Sequence, residues 1–168
     1  MNIIDELEWR GAINQQTDAE GLYKLVDKKS ISLYCGIDPT GDSMHIGHLI
    51  PFMILKRFQL AGHHPVILIG GGTGAIGDPS GRTTERVLQT AEQVKHNADS
   101  LTAQMKKLFG ENGSFTMMNN YDWLSKISLL DFLRDYGKLF NINTMLAKDV
   151  VASRLETGIS FTEFSYQI

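Results

Sequence analysis

The sequence predicts an α/β protein built on a parallel sheet, and three observations lead there. Two short apolar runs, SISLYCGI (Ser30–Ile37) and PVILIG (Pro65–Gly70), are close to continuous where a half-exposed strand would alternate, as expected of strands buried within a parallel sheet. Between them a helix-length stretch runs from Ile46 to Leu60 and is stopped by Gly62. Strand, helix and strand in that order make a β-α-β unit, whose right-handed crossover places ligands beyond the carboxyl ends of the strands.

The remaining elements follow in order. Ile3, Ile4 and Leu7 predict a short amphipathic helix, and a second helix spans Ala19 to Lys28. Pro51 interrupts the pattern of the helix after the first strand; an interior proline lacks the N–H for the carbonyl four residues back and costs about 3 kcal/mol unless it lies in the first turn or the helix kinks there. Thr90 and Gln93 form a capping-box pattern, after which Val94, Ala98, Leu101, Met105 and Leu108 recur at spacings of four and three before Gly110. SFTMM (Ser114–Met118) predicts a strand, Ser128 and Asp131 open another helix, and Asn143 to Glu156 predicts a longer one with Gly158 behind it. Ser160 and Glu163 are the cap pair of a final helix. No repeat or low-complexity segment is present.

Composition narrows the class. The chain has 168 residues, 42% of them hydrophobic, which suffices for one domain with a sizeable core but is short for an enzyme handling two large substrates. A net charge of -3 is no nucleic-acid footprint, and the single cysteine excludes an internal disulfide framework. The acidic start, MNIIDELEWRG, lacks the apolar core of a signal peptide, and no apolar run reaches membrane-spanning length. The expectation is a soluble, cytoplasmic protein.

Two segments carry chemical signals. GGGTGAIGDPSGR, Gly70 to Arg82, has 6 glycines between Gly70 and Gly81, which permits either close backbone approach to a ligand or simply a tight turn. It fits neither the Walker phosphate loop nor the dinucleotide fingerprint. Asp78 within it is suited to hold an ammonium group. The other segment is DPTGDSMHIGHL, Asp38 to Leu49, in which His45 and His48 bracket Gly47 where the helix begins. The pair has three readings: metal ligands, which for zinc require at least one further protein ligand; structural helix-start residues; or a phosphate site, in which ring nitrogens and free backbone N–H groups face anionic oxygens and Gly47 lets a nucleotide lie against the backbone.

HIGH, His45 to His48, matches the signature of class I aminoacyl-tRNA synthetases, shared in looser form with related nucleotidyltransferases. The wider string LYCGIDPTGDSMHIGHL, with GGGTGAIGDPSGR, NNYDW and ETGISFTEFSY, resembles the bacterial tyrosyl-tRNA synthetases in family order along almost the whole chain. The resemblance implies a Rossmann-like parallel sheet flanked by helices, the first part of a HIGH-type nucleotide-binding catalytic domain. It also implies an enzyme that joins tyrosine to ATP, releases pyrophosphate and passes the tyrosyl group to tRNA(Tyr). Residues 1–168 would then be the amino-terminal portion of the catalytic domain. The second half of that domain, with the glutamine and aspartate expected soon after Tyr166 and the lysine-rich triphosphate loop, would lie beyond Ile168, and so would the separate anticodon-reading domains.

Matching positions imply the site. Tyr34 would hydrogen-bond the substrate phenol at the end of the tyrosine pocket, and Asp78 and Tyr166 would hold the ammonium with Asp38 nearby. Cys35, Gly36 and His48 would contact the ATP ribose region, with Asp38 and Gly47 also on the nucleotide. Thr40 and His45 would bind the departing pyrophosphate, and Arg82 and Arg86 would place positive charge near the triphosphate. Phe161 and the preceding helices would lie near a homodimer interface. A substrate carboxylate is already ionised near neutral pH, so no general base is needed. Catalysis is then positioning and charge stabilisation. Magnesium is the expected companion of the triphosphate, whose oxygens are hard ligands. Two alternatives remain: another HIGH-type nucleotidyltransferase acting on a small phosphate ester, or a segment serving only as a folding or interaction module.

Overall fold

The computed structural model describes residues 2–78, 87–110, 113–152, 154–155 and 158–168. Helix α1 (Ile3–Trp9) begins at Asn2, whose side chain accepts from the Ile4 N–H while Asp5 reaches back to the Asn2 N–H, closing a capping box. Helix α2 (Ala19–Lys28) is capped by Asp18. Strand β1 (Ser32–Ile37), helix α3 (Ile46–Leu60) and strand β2 (His64–Ile69) then form the expected β-α-β unit. A short helix α4 (Gly71–Ile76) follows, then the long α5 (Ala91–Phe109) and strand β3 (Thr116–Asn119).

The carboxyl-terminal part is built of short turns of helix: α6 (Tyr121–Leu124), α7 (Leu129–Asp131), α8 (Ile142–Leu146), α9 (Asp149–Ala152) and α10 (Phe161–Ser165). After α7 the chain continues through a π turn at Phe132–Tyr136 and a 3-10 turn at Gly137–Leu139.

The sheet has the order β1-β2-β3, with both pairings parallel. Its helix-covered face carries Ile37, Ile67 and Ile69, which pack with Phe52 and Leu55 of α3 and Ala98, Leu101, Met105 and Phe109 of α5. On the far side of α3, Phe58 joins Ile3, Ile4, Leu7 and Val26 in a second cluster that docks α1 and α2. Among the described residues no helix is long and apolar enough to cross a membrane.

Five expectations change. The strands are buried on one face only: β1 alternates, with Ser32, Tyr34 and Gly36 exposed. Their apolar runs belong to a sheet whose second face is open along Tyr34, Val66, Leu68 and Met118. The glycine-rich segment opens as helix α4, because the side chains of Asp38, Asn119 and Asn120 are threaded among its glycines. Phe109, and not Leu108, completes the buried stripe of α5; Leu108 packs only at its margin. The helix expected from Asn143 to Glu156 is two short pieces broken at 147–148, and Glu156 lies outside the described residues. The third strand is shifted two residues, to Thr116, beyond the positive-φ Gly113.

Pro51 is the sixth residue of α3, past the first turn. The helix carries on through it, and the carbonyl that loses its donor belongs to exposed Gly47, where water can replace the missing bond.

Candidate active site

The three strands end in register, Ile37 beside Ile69 and Ile69 beside Asn119. The residues that follow, Asp38, Gly70 and Asn120, therefore emerge side by side at the carboxyl edge of the sheet. Backbone bonds continue the ladder one step further, from the Gly70 N–H to the Ile37 carbonyl (2.8 Å) and from the Asn120 N–H to the Ile69 carbonyl (3.0 Å).

Asp38 is the hub of this edge. One carboxylate oxygen accepts from the Thr73 hydroxyl at 2.6 Å and the other from the Tyr166 hydroxyl at 2.8 Å, a contact spanning 128 residues of chain. The Asn120 amide donates to the Thr73 oxygen at 3.0 Å and accepts from the Gly72 N–H at 2.7 Å. The glycines make this packing sterically possible. A Cβ at Gly70 would lie 2.0 Å from an Asp38 oxygen, and one at Gly71 2.4 Å from the Asn119 side-chain oxygen. The absent side chains admit the site's own carboxylate and amides, so approach of a ligand is not needed to explain them. Gly77, at φ 90°, turns the chain out of α4 into half-buried Asp78.

On the open face of the sheet, Tyr34 and Gly36 of β1 and Asp38 just beyond its end follow one another at alternate positions. Beside them lies a cleft of about 420 Å³ lined by Tyr34, Val66, Leu68, Met118 and Trp123 together with Ser32 and Leu33. Its walls are almost wholly apolar, and the Tyr34 phenol makes no hydrogen bond to the described residues. Four residues of strand put Tyr34 and Asp38 about 13 Å apart by backbone. Cys35 faces the other way, half-buried against the core on the α3 side, with its thiol 3.8 Å from the Gly36 carbonyl; burial pushes that thiol up.

The two histidines are helix-start residues. His45 is the N-cap of α3: its Nδ1 accepts from the Gly47 N–H at 3.1 Å, and its carbonyl accepts from the His48 N–H at 3.0 Å. Hence the junction offers fewer free backbone donors than its sequence suggests, and imidazoles in their place. The rings stack with centroids 3.6 Å apart. His48 Nδ1 is buried without a partner, and burial, with the neighbouring His45, holds its imidazole below the ordinary value. With Nδ1 of His45 accepting, a neutral ring carries its proton on Nε2. Among the described residues no three of His, Cys, Asp and Glu converge. Thr40, on the loop between β1 and α3, is exposed.

Tyr34, Gly36, Asp38 and Tyr166 thus belong to one edge and face of the sheet, and Thr40, His45, Gly47 and His48 to the loop and helix start beside it. Arg82 and Arg86 lie outside the described residues. Sequence reasoning missed Thr73, Asn119, Asn120 and Trp123 as members of the site. Thr73 stands out only by interrupting the glycine run; Asn119 and Asn120 belong to the NNYDW string, but only the strand register reveals that they meet the glycines after β2.

A parallel sheet with a polar hub at its carboxyl edge and a histidine-capped helix behind it defines an open α/β fold, a class whose ligands bind beyond the carboxyl ends of the strands. Residues 26–168 match the family model described as tRNA synthetases class I (W and Y), and the chain belongs to that family. It is 80% identical over 168 residues to tyrosine–tRNA ligase 1 of Enterococcus faecalis, spanning all of this chain and 40% of that relative. The tyrosine–tRNA ligase of Latilactobacillus sakei is 80% identical over 167 residues, 99% of this chain and 40% of the relative. The chain therefore spans about 40% of the length of these curated relatives. Among solved structures, a C-terminally truncated mitochondrial tyrosyl-tRNA synthetase of Aspergillus nidulans superposes with a TM-score of 0.89 at 35% identity, over 98% of this chain and 51% of that one. The corresponding enzyme of Coccidioides posadasii gives 0.85 at 34% identity, over 99% and 48%.

Proposed function

We propose that the full-length protein carrying this chain activates tyrosine with ATP, releasing pyrophosphate, and transfers the tyrosyl group to tRNA(Tyr), and that residues 1–168 are the amino-terminal portion of its catalytic domain. The observation that carries this reading is the open face of β1, where an apolar cleft holds the Tyr34 phenol and the Asp38 carboxylate stands just beyond the end of the same strand. That arrangement complements an amino acid whose ring ends in a hydroxyl and whose backbone ends in an ammonium.

In this proposal Tyr34 pairs with the substrate phenol, while Asp78 and Tyr166, with Asp38, hold the ammonium. Gly36, whose added Cβ would meet nothing closer than 3.7 Å in the protein, leaves the strand backbone open to the ligand. ATP lies toward the start of α3, against Cys35, Asp38, Thr40, Gly47 and His48. The tyrosine carboxylate attacks the α-phosphorus, the bond to the bridging oxygen breaks, and charge moves onto pyrophosphate. Thr40 and His45, with Arg82 and Arg86, stabilise that charge, and magnesium enters with the triphosphate as part of the substrate. The exposed apolar turns around Leu129, Leu130 and Phe161 support a homodimer, and the single cysteine supports a cytoplasmic enzyme.

Amino-acid-dependent exchange of pyrophosphate into ATP tests the reading. The full-length protein should exchange only with tyrosine and magnesium; equal stimulation by tryptophan or phenylalanine would sink the tyrosine assignment. Stimulation by a small phosphate ester instead would point to another HIGH-type nucleotidyltransferase.

A further inference from the structure

The loop from Pro39 to Met44, which carries Thr40 and leads into His45, makes little use of its own backbone. Its one internal bond given by the fold runs from the Thr40 N–H to the Asp38 carbonyl at 2.8 Å. Four further backbone groups are held from outside, by amide side chains of α5 and the turn before it. Gln89 donates to the Thr40 carbonyl at 3.0 Å, and Asn97 to the Pro39 carbonyl at 3.0 Å. Gln104 holds the loop twice, donating to the Asp42 carbonyl at 2.8 Å and accepting from the Met44 N–H at 3.2 Å. Asn97, only 2% exposed, is itself fixed by Gln93 at 2.9 Å and by Gln89 at 3.3 Å.

Asn97 and Gln104 are seven residues apart, two turns of α5, so they share one face. This amide stripe runs beside the apolar stripe that anchors α5 on the sheet. The helix thereby transmits the rigidity of the core to the loop. Gln104 grips the two peptide groups that flank Ser43, one residue short of His45, which caps α3.

We propose that Gln104 is a positioning residue for adenylate formation: its amide sets the approach of His45 to the departing pyrophosphate without touching substrate. The inference rests on the function proposed above. Misplacement of a reacting group by about 1 Å costs on the order of 100-fold in rate. The effect belongs to the activated complex, because tyrosine itself lies on the other face of β1.

In the full-length protein, Gln104→Met removes both bonds at nearly constant volume, and Gln104→Ala provides a second variant with high helix propensity. Either should lower kcat for tyrosine-dependent pyrophosphate exchange about 10- to 100-fold with the KM for tyrosine within about twofold. In a His45→Asn background the same substitution should cost no more than about twofold, because the two residues act through one contact. Amide exchange at Met44 should rise in the folded variant. An unchanged kcat, a rise in KM alone, or an undiminished loss in the His45→Asn background overturns the inference. So does loss of folding in both variants, since Gln104 would then support the molecule at large. A wild-type protein without tyrosine-dependent exchange overturns the function itself, and this inference with it, which separates the two failures.

Discussion

At the scale of single residues, the site is organised by what glycine omits and what histidine occupies. Gly70→Ala would drive a methyl to within 2.0 Å of the Asp38 carboxylate and 2.5 Å of the Thr73 hydroxyl, so the hub cannot persist as built. Overpacking of this kind costs about 1–3 kcal/mol, and calorimetry on the full-length protein should show tyrosine affinity falling with stability. Gly36→Ala is the contrasting case: its Cβ meets only ordinary contacts at 3.7 Å or beyond, so the melting temperature should hold while ligand binding weakens. Both variants behaving alike would mean that the open strand face is not where ligand lies. His63 supplies a pH prediction. Its Nδ1 accepts from the Ile31 N–H at 3.3 Å, and burial holds the imidazole below 6.5. The unfolded chain therefore binds more protons in the window below that value, so the His63 contribution is full above about pH 6.5 and is lost as pH falls through the folded value. Urea midpoints at pH 8 and 5.5 should differ less in His63→Gln, whose amide oxygen accepts at either pH.

At the scale of elements, the last helix is placed by an ion pair and not by its own length. Five residues of α10 do not make a stable helix alone. Arg154 and Glu163 meet at 3.0 Å with side chains 5% and 2% exposed, and Arg154 also donates to the Gly158 carbonyl at 3.1 Å. This pair seats α10, at whose end Tyr166 reaches Asp38. Arg154→Met leaves a buried carboxylate without its partner, for which the expected loss is about 3–5 kcal/mol, whereas replacing both partners by apolar residues should cost much less. Hydrogen exchange over 149–168 should rise in the single variant and tyrosine binding should weaken with it. Wild-type exchange in Arg154→Met would show that α10 is seated by something else.

At the scale of the whole molecule, the described residues pair β1 with β2 alone and cover one face of the sheet. Tyr34 is 73% exposed, and Leu129, Leu130 and Leu139 stand in solvent on the turns that follow β3. An unpaired parallel edge and open apolar patches drive association. The 168-residue chain expressed alone should therefore self-associate, with a sedimentation coefficient that rises with concentration, and should catalyse no measurable pyrophosphate exchange. A monodisperse monomer with wild-type exchange would show that the cleft is already complete.

The sequence by itself determined the β-α-β unit, both bounds of α3, the caps at Thr90, Ser128 and Ser160, and the placement of the two histidines at the start of α3. These are local properties: apolar periodicity, glycine and proline stops, side chains that satisfy orphan N–H groups within three residues. Only the tertiary structure decided that the glycine run makes a helix, because the reason lies in Asn119, Asn120 and Asp38, far away along the chain. Only it decided which strand face is open, since a continuous apolar run cannot say which half of its residues has a helix above it. The amides of α5 were illegible for the same reason. Gln93, Asn97 and Gln104 look in sequence like the polar side of an amphipathic helix, and what makes them functional candidates is the loop that the sheet's register carries beneath them.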